Sequence, residues 1–438
     1  MANLLLVAGT RPEAIKMAPI IEQLRRLQLD FTFVWNGQHY DYKMSKIFFE
    51  QLDLPEPDDN LDVKSGSHAQ QTAESMVKLE KTIRQYMPSI VVSEGDTNSV
   101  AAAAMTSVKC LVPFAHVEAG LRSWNPAMPE EINRKIADSV ASLHFAPTKP
   151  SMLNLLFEGV SRERLHLTGN TIVDVVRKHR DAARELGERI MSELNVEKEK
   201  YLLVTIHRAE NTDDPSKLEN ILAALRKLAR EFTVVFPVHP RTKERIAQTS
   251  LEHPLEGIIG LEPLGYQEFL GLLMNCLIVL TDSGGVQEEA CTVKVPTVTL
   301  RYNTERPETI PHGNVLAGAE TGTIVDAVHK QIDRADEIRK SSLENPFGDG
   351  RAGEKIAILL KKYLEEGLEI VEPDLRRTPL VSYRLLQSKH MSQEQWAQAL
   401  LAFDRFGLPC LTTGTRNQTV RWIVRMHKAS PSNTAWSE

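Results

Sequence analysis

Residues 276–290 read CLIVLTDSGGVQEEA, and this stretch indicates the fold class of the chain. A strongly apolar run ends in Asp282 and Ser283, and a helical pattern begins at the two glycines that follow. Glycine allows a tight turn and close approach by a ligand, and the first backbone N–H groups of the helix favour an anion such as a phosphate. The stretch therefore predicts a strand, a turn and a helix of an α/β fold, with an anion at the turn.

Four other apolar runs that we predict as strands also end in polar or ionisable residues. These residues are Glu94, Gly95 and Asp96 after SIVVS, Glu118 after FAHV, His207 after YLLVTI, and His239 after FTVVFPV. In an open α/β sheet, ligands bind in the crevice outside the carboxyl ends of the strands. Carboxylates, imidazoles and a glycine turn at such an edge predict an anionic ligand and acid–base chemistry on it.

Composition excludes several classes of protein. With 438 residues and 42% hydrophobic content, the chain suits two or three domains with ordinary cores. A net charge of -6 disfavours nucleic-acid binding, and four scattered cysteines disfavour a disulfide framework or a zinc site. Neither GxGxxG nor a Walker A sequence occurs, so the sequence supports neither a nicotinamide cofactor nor ATP.

The apolar stretches are short. The longest, around residues 100–115, is interrupted by Lys109 and Pro113 and is too short to span a bilayer. The first apolar run soon meets Arg11, and it lacks the basic start and the length of a signal peptide. We therefore expect a soluble, cytoplasmic protein with neither a membrane nor a nucleic-acid partner.

Strand-like runs alternate with helical patterns in two series of about six strands each. This order predicts an α/β protein with two Rossmann-like domains that face each other across a cleft, at residues 1–170 and 171–350. A closing helix at residues 351–366 is expected to join the first domain. Residues 372–438 are richer in basic than in acidic residues and predict a small C-terminal extension of unknown role, with one helix at Ser392–Phe406.

The segment after the first strand, GTRPEAIKMAPII, has the features of a helix start. Thr10 and Glu13 make a capping box, and Pro12 suits the first helical turn. Arg11 then lies where a cation opposes the helix dipole, which favours a bound anion beside it. Lys16 lies five residues further on and can reach the same place. The alternative is that both cations are simply solvated.

A second charged segment is HVEAGLRSWNPAMPEEINR. It places Glu118 after a buried strand and beside His116, which is typical of a carboxylate with a shifted pKa and of general acid–base catalysis. Glu130 and Glu131 follow at a helix start, where the alternative is that they only stabilise the helix dipole. The alternative for His207 is a hydrogen-bonded histidine of the core.

Together these motifs resemble the non-hydrolysing UDP-N-acetylglucosamine 2-epimerases. The segments that carry the resemblance occur in family order and are GTRPEAIKMAP, EGDTNS, HVEAGLRS, MPEEINR, LTGNTIVD, HRAEN, PVHPR, LTDSGGVQEEA, NTERPE and NPFGDGRA. They cover roughly residues 1–366. Two departures, Ala209 where the family often has arginine and Cys291 where it has proline, touch no residue that we assign to chemistry.

The resemblance implies a GT-B-like fold whose second domain binds most of the nucleotide, in a homodimer without nicotinamide or metal. It also implies reversible conversion of UDP-GlcNAc to UDP-ManNAc, which supplies activated ManNAc for glycan synthesis. The C2 proton of the sugar is not next to a carbonyl, so simple deprotonation is unfavourable. Expulsion of UDP from C1 with loss of that proton gives 2-acetamidoglucal, to which UDP adds back. This route needs a stabilised leaving group and several acid–base groups.

The resemblance also assigns site residues, each by its match to a family motif. The catalytic positions are Asp96, Glu118, Glu130 and His207, and the first two are the candidates for moving the C2 proton. The diphosphate-binding positions are Arg11, Ser283, Gly284 and Gly285. The other nucleotide-site positions are Lys16, His239, Phe269, Glu289 and Arg306. Gln38 and Arg208 match a possible regulatory site for a second substrate molecule.

Three other functions remain open on the sequence. A GT-B glycosyltransferase shares the fold and the UDP-sugar donor but needs an acceptor cleft. An epimerase of a related UDP-2-acetamido sugar differs in sugar contacts that the sequence does not reveal. A catalytically inactive UDP-sugar sensor is disfavoured because Asp96, Glu118, Glu130 and His207 are all intact.

Overall fold

The structure is a computed structural model that describes residues 3–37, 54–249 and 253–368. Gln38 and the C-terminal extension, with its expected helix at Ser392–Phe406, lie outside the described residues.

The described strands alternate with helices along most of the chain. The strands are β1 (Leu4–Ala8), β2 (Phe31–Trp35), β3 (Asp59–Asn60), β4 (Ile90–Glu94), β5 (Phe114–Val117), β6 (Leu143–Ala146), β7 (Leu165–Leu167), β8 (Tyr201–Thr205), β9 (Thr233–Pro237), β10 (Ile258–Leu261), β11 (Ile278–Thr281), β12 (Thr297–Thr299) and β13 (Asn314–Leu316). The α-helices are α1 (Arg11–Arg26), α2 (His68–Tyr86), α3 (Asn98–Lys109), α4 (Pro129–Val140), α5 (Lys149–Phe157), α6 (Thr171–Leu194), α7 (Ala209–Thr212), α8 (Pro215–Leu228), α9 (Pro240–Ile246), α10 (Tyr266–Asn275), α11 (Gly284–Val293), α12 (Thr321–Arg339) and α13 (Ala352–Glu366). Short 3₁₀ helices occur at Arg162–Arg164 and Pro307–His312.

The strands form two sheets with the same doubly wound order. The first sheet runs β3-β2-β1-β4-β5-β6-β7 and the second runs β10-β9-β8-β11-β12-β13. In the first sheet β1 pairs in parallel with both β2 and β4, and in the second β8 pairs in parallel with both β9 and β11. The direction of winding therefore reverses between β1 and β4 and between β8 and β11, and ligands bind outside the strand ends at such points.

Both sheets are buried on both faces. Along β1, Leu4 and Leu6 belong to one apolar cluster, whereas Leu5 and Val7 belong to the cluster on the other face. Strand β8 alternates in the same way between two clusters of the second sheet. The closing helix α13 places Leu360 in the cluster of Leu4 and Leu6. Sheets covered on both faces give the strand ends a rigid support.

The predicted α/β class is confirmed, and the five strands whose ends were expected to form the site coincide with β4, β5, β8, β9 and β11. Strand β3 was not predicted, because two residues are too few to show an apolar alternation. The division of the chain into domains at residues 170 and 350 stays a prediction. Within the described ranges, no helix combines the length and the apolar character that spanning a membrane requires.

Candidate active site

Glu118 follows the end of β5 in a strained backbone conformation. Its φ is 68°, in the left-handed region that non-glycine residues rarely adopt, and its side chain is buried. Lys16 Nζ donates a short hydrogen bond to Glu118 Oε2, Asn170 Nδ2 donates to the same oxygen at 2.8 Å, and Arg306 Nη2 donates to Oε1 at 3.1 Å. These contacts hold the carboxylate in one orientation.

Glu118 is part of a buried ionic cluster that also contains Lys16, Glu94, Glu288 and Arg306. Lys16 Nζ lies 3.4 Å from Glu94 Oε1 and 3.2 Å from Glu288 Oε2, and Arg306 Nε lies 2.8 Å from Glu288 Oε1. Glu94 ends β4 and Glu118 follows β5, both in the first sheet. Glu288 lies on α11, in the second half of the chain. The cluster therefore joins the carboxyl edges of the two sheets.

The carboxylates of the buried ionic cluster differ in pKa. Burial raises the pKa of Glu94 well above its usual value, and burial also raises that of Glu288. Burial acts in the same direction on Glu118, but the charges of Lys16 and Arg306 outweigh it and lower the pKa to about 2. Glu118 is therefore ionised while its cations remain paired with it, and Glu94 is the member that most readily holds a proton.

A chain of ion pairs connects this cluster to Glu130. Arg306 Nη1 lies 2.6 Å from Glu305 Oε1, and the same oxygen lies 3.3 Å from Arg208 Nη2. Arg208 Nη1 then lies 3.2 Å from Glu130 Oε1. Glu130 at the start of α4 and Glu118 after β5 are thus linked through Arg208, which the sequence had suggested only for regulation.

Asp96 lies after β4 at the more open side of the site. Arg134 Nη1 forms an ion pair with Asp96 Oδ2, and Asn133 Nδ2 donates to the backbone oxygen of Asp96 at 3.0 Å. The Asp96 side chain is 21% exposed, against 5% for Glu118. Glu131 is fully buried and accepts hydrogen bonds from Ser123 N and Arg134. It therefore helps to hold Arg134, the partner of Asp96, in place.

In the second sheet, Asp282 after β11 organises the loop after β8. Its carboxylate accepts from the backbone N–H of His207 at 3.1 Å, the N–H of Arg208 at 3.0 Å and Asn211 Nδ2 at 3.1 Å. The rings of His207 and His239 lie 5.7 Å apart. Burial lowers the pKa of His207, so its imidazole is neutral near pH 7.

The two helix starts at the site differ in what occupies them. At α11, Ser283 Oγ caps Val286 N at 3.5 Å, and a Cβ on Gly284 would lie 2.7 Å from Arg306 Cζ. A Cβ on Gly285 would meet nothing closer than Ser283 Oγ at 3.9 Å, so the approach to the helix is open there. At α1, by contrast, Glu13 Oε2 accepts from the N–H groups of Gly9 and Thr10 at 2.6 and 2.8 Å.

The remaining expected residues occupy several positions around the site. Arg11 is exposed at the first position of α1, while Lys16 is buried, which excludes the simple solvated role for Lys16. Phe269 on α10 is half-buried and packs at the edge of the second core. Burial raises the pKa of the buried Glu289 to about 8. His239 is exposed, and its Nδ1 accepts from Arg241 N at the start of α9.

Glu94 and Asp282, which end two of the predicted strands, do lie at this site, although neither had been given a role. Other residues that build the site were not predicted from the sequence, and they are Arg134, Asn170, Glu288 and Glu305. Each lies within one of the ten quoted motifs, which was the available signal. The partner of each depends on contacts between residues far apart in the chain, as for Glu288 with Lys16. The described residues contain no group of three or more His, Cys, Asp or Glu side chains placed to hold a metal ion.

A sequence model of the family described as UDP-N-acetylglucosamine 2-epimerase matches residues 22–361. The chain belongs to this family. Among its curated relatives, the UDP-N-acetylglucosamine 2-epimerase of Methanocaldococcus jannaschii is 43% identical over 82% of this chain and 98% of that protein. The UDP-2,3-diacetamido-2,3-dideoxy-D-glucuronate 2-epimerase of Pseudomonas aeruginosa is 39% identical over 82% of this chain and 99% of its own length.

A solved structure of this family supports the same fold. The crystal structure of the M. jannaschii UDP-GlcNAc 2-epimerase in complex with UDP-GlcNAc and UDP matches with a TM-score of 0.76 at 42% identity. The match covers 82% of this chain and 99% of that one. The expected GT-B-like fold of this epimerase family is therefore confirmed.

Proposed function

We propose that this protein interconverts UDP-GlcNAc and UDP-ManNAc by inverting the configuration at C2 of the sugar. The observation that carries the proposal is the 43% identity to the M. jannaschii epimerase over nearly its whole length. Fold alone does not specify function, so the site must also suit the reaction. It offers an open helix start and two cations for a diphosphate, beside carboxylates suited to proton transfer.

The leaving group of the proposed reaction is UDP, which acquires negative charge as the bond from C1 to oxygen breaks. The N–H groups at Gly284 and Gly285, together with Arg306, can stabilise that charge at the start of α11. Lys16 on α1 pairs with Glu288 on α11, and the proposal assigns Arg11 at the start of α1 to the same anion. Neutral His207 is suited to a hydrogen bond with the departing oxygen.

Removal of the C2 proton needs a base that is ionised but not too weak. With Lys16 and Arg306 paired to it, Glu118 has a pKa of about 2 and is a poor base. A diphosphate that attracts these two cations leaves Glu118 buried with less compensating charge, and its pKa then rises. Binding of the nucleotide thus turns Glu118 into a better base where the sugar lies.

In the elimination step, the pair of electrons from the C2–H bond forms the C1=C2 double bond of 2-acetamidoglucal as UDP leaves. The return step delivers a proton to the other face of C2, and a UDP oxygen bonds to C1 again. The proposal assigns Asp96 and Glu118 to the two faces, with Glu130 assisting.

A second candidate substrate is a UDP-2-acetamido sugar with further substituents. The relative that favours it is the P. aeruginosa diacetamidoglucuronate epimerase, at 39% identity. Incubating the protein separately with UDP-GlcNAc and with that diacetamido uronate, followed by proton NMR, tests both. We expect UDP-ManNAc from the first substrate. Turnover of the uronate alone would overturn the assignment of UDP-GlcNAc.

Three further features of the proposal come from the family resemblance. We propose that the protein is a cytoplasmic homodimer that works without added nicotinamide or metal. Light scattering of the full chain should give about twice the 49.2 kDa of one chain. A dialysed, chelator-treated sample should retain full activity. A monomer, or activity restored only by NAD or a metal, would contradict the respective feature.

A further inference from the structure

His116 is completely buried on β5, two residues before Glu118. Both nitrogens of its ring have close partners. Nδ1 lies 2.6 Å from Asp138 Oδ1, and Nε2 lies 2.8 Å from the backbone oxygen of Gly95. Gly95 directly precedes Asp96, so this ring connects the positions of the two carboxylates proposed to move the C2 proton.

The two partners of the ring are both hydrogen-bond acceptors. A neutral imidazole carries one N–H, so one of its nitrogens would present a lone pair to an acceptor. Asp138 does not supply the missing proton. Its Oδ2 accepts from Arg122 at 2.7 Å and from Gly120 N at 3.0 Å, and although burial raises the pKa of the carboxyl, the charges of His116 and Arg122 outweigh burial and hold that pKa well below its usual value. The imidazolium, with an N–H at each nitrogen, satisfies both partners.

The charges around His116 agree with this assignment. Burial and the charge of Arg122 lower the pKa of His116. The charge of Asp138 on α4 and the hydrogen bonds to Asp138 and the Gly95 carbonyl raise it by more, so the net shift is upward. His144 on β6 is the neighbour of His116 in the strand register, and its Nε2 lies 2.8 Å from the backbone oxygen of Asp138. The ring of Phe114 stacks 6.0 Å away.

We propose that His116, held as an imidazolium, is a positioning residue that fixes the turn carrying Asp96 relative to Glu118. Gly95 has a φ of 91°, and its N–H donates to Val117 O at 3.2 Å. The turn is therefore attached to β5 at two points, through the N–H of Gly95 and through its carbonyl group. This inference rests on the proposed function, because it concerns the distance between two proposed acid–base groups.

The variant His116→Gln tests the positioning. A glutamine amide can donate to one partner only, and it presents its oxygen to the other acceptor. Displacing a catalytic group by about 1 Å lowers the rate on the order of a hundredfold. We therefore expect kcat to fall about a hundredfold, while the Kd for UDP changes less than about threefold. A folded His116→Gln protein with the kcat of the wild type would overturn the proposal.

His144→Gln is the matched control. His144 is equally buried, and glutamine can still donate to the backbone oxygen of Asp138, but His144 makes no described contact with Gly95. We expect kcat within about threefold of the wild type, since both hydrogen bonds between Gly95 and the residues of β5 are retained. A loss as large as that of His116→Gln would overturn the positioning role in favour of general destabilisation.

Nitrogen-15 NMR of histidine-labelled wild-type protein tests the charge state directly, and it does not depend on the variant folding. We expect both ring nitrogens of His116 to be protonated at about pH 7, where an unperturbed histidine is mostly neutral. A neutral ring at that pH would overturn the proposal. A wild-type protein that binds UDP but does not epimerise the substrate would contradict the proposed function instead, and the spectrum would still report the charge of His116.

Discussion

The two sheets share one strand order, yet their carboxyl edges carry different chemistry. The first sheet presents the carboxylates of Glu94, Asp96 and Glu118. The second presents His207 and the glycine start of α11 after Asp282. Equal topology therefore does not give equal function, and the residue type at each strand end decides whether an edge suits proton transfer or anion binding.

The difference is clearest at two helix starts beside the reversal points, that of α1 after β1 and that of α11 after β11. At α1 the chain supplies its own hydrogen-bond acceptor, since Glu13 accepts from the N–H groups of Gly9 and Thr10. At α11 the backbone near Gly285 is open to a ligand. We infer that the diphosphate uses the second site, and that Arg11 reaches it from α1 without binding it at its own helix start.

Neither edge is complete alone, because each supplies cations to the other's carboxylates. Lys16 of the first half pairs with Glu288, and Arg306 of the second half pairs with Glu118. Removing one member of a buried pair typically costs about 3–5 kcal/mol, although such pairs add little net stability. We propose that this cross-pairing couples nucleotide binding at one edge to the base at the other.

The largest effect should come from the first edge. Glu118→Gln and Asp96→Asn should each lower kcat by at least ~100-fold, the usual scale for a lost acid or base, while UDP still binds. Steady-state epimerisation and calorimetric binding of UDP measure the two quantities. Near-native turnover in either variant would show that its carboxylate is structural, and the division between the two edges would then fail.

A pair of glycine variants tests the second edge. Gly285→Ala should fold normally, but its methyl group should displace the diphosphate from the helix start and raise the UDP Kd about ten- to a hundredfold, the value of one charge-assisted hydrogen bond. Gly284→Ala is the contrast, since its Cβ would strike Arg306 and also lower the thermal midpoint. Unchanged UDP affinity in Gly285→Ala would place the diphosphate elsewhere.

The buried carboxyl of Glu13 at the start of α1 should be visible in the pH dependence of stability. Burial raises the pKa of Glu13 from 4.5 to about 7. A raised pKa means that the folded protein binds the proton more tightly. The contribution is therefore full below about pH 4.5 and is lost as the pH rises to about 7, by at most about 3 kcal/mol.

Glu13→Gln isolates that contribution. The difference in unfolding free energy between variant and wild type, measured by denaturant titration at several pH values, should change across this interval and be flat above it. A difference that does not vary with pH would show that burial does not raise the pKa of Glu13.

The smallest effect should follow removal of the C-terminal extension. The strand-end groups of both edges precede residue 307, and helix α13 ends at Glu366. A chain that ends at Gly367 should therefore fold and keep its kcat within about twofold, since both edges and their buried support are retained. A folded but inactive product would mean that residues beyond 367 shape one of the edges.

Much of this arrangement could be predicted from the sequence, because strand ends and helix starts are local features. The apolar run before Asp282 and the glycines after it indicate a strand, a turn and a helix without any knowledge of the rest. The ion pairs of Glu288 with Lys16 and of Arg306 with Glu118 could not be predicted. They join residues far apart in the chain, and no local pattern specifies which cation meets which carboxylate.

The direction of the pKa shift of Glu118 became clear only from the structure. Beside His116, Glu118 is expected to have a shifted pKa, but the sequence does not give the direction. The structure shows a downward shift, because two buried cations contact the carboxylate. The hydrogen bonds of the His116 ring go to Asp138 and to the Gly95 carbonyl group and not to Glu118.

The central claim is that one edge removes and returns the C2 proton while the other holds UDP. Proton NMR of UDP-GlcNAc with the wild-type protein in deuterated water, without added nicotinamide or metal, tests it most directly. The account predicts that UDP-ManNAc accumulates with deuterium at C2 and that recovered UDP-GlcNAc also acquires deuterium there. An epimer that retains its original hydrogen at C2 would contradict the account.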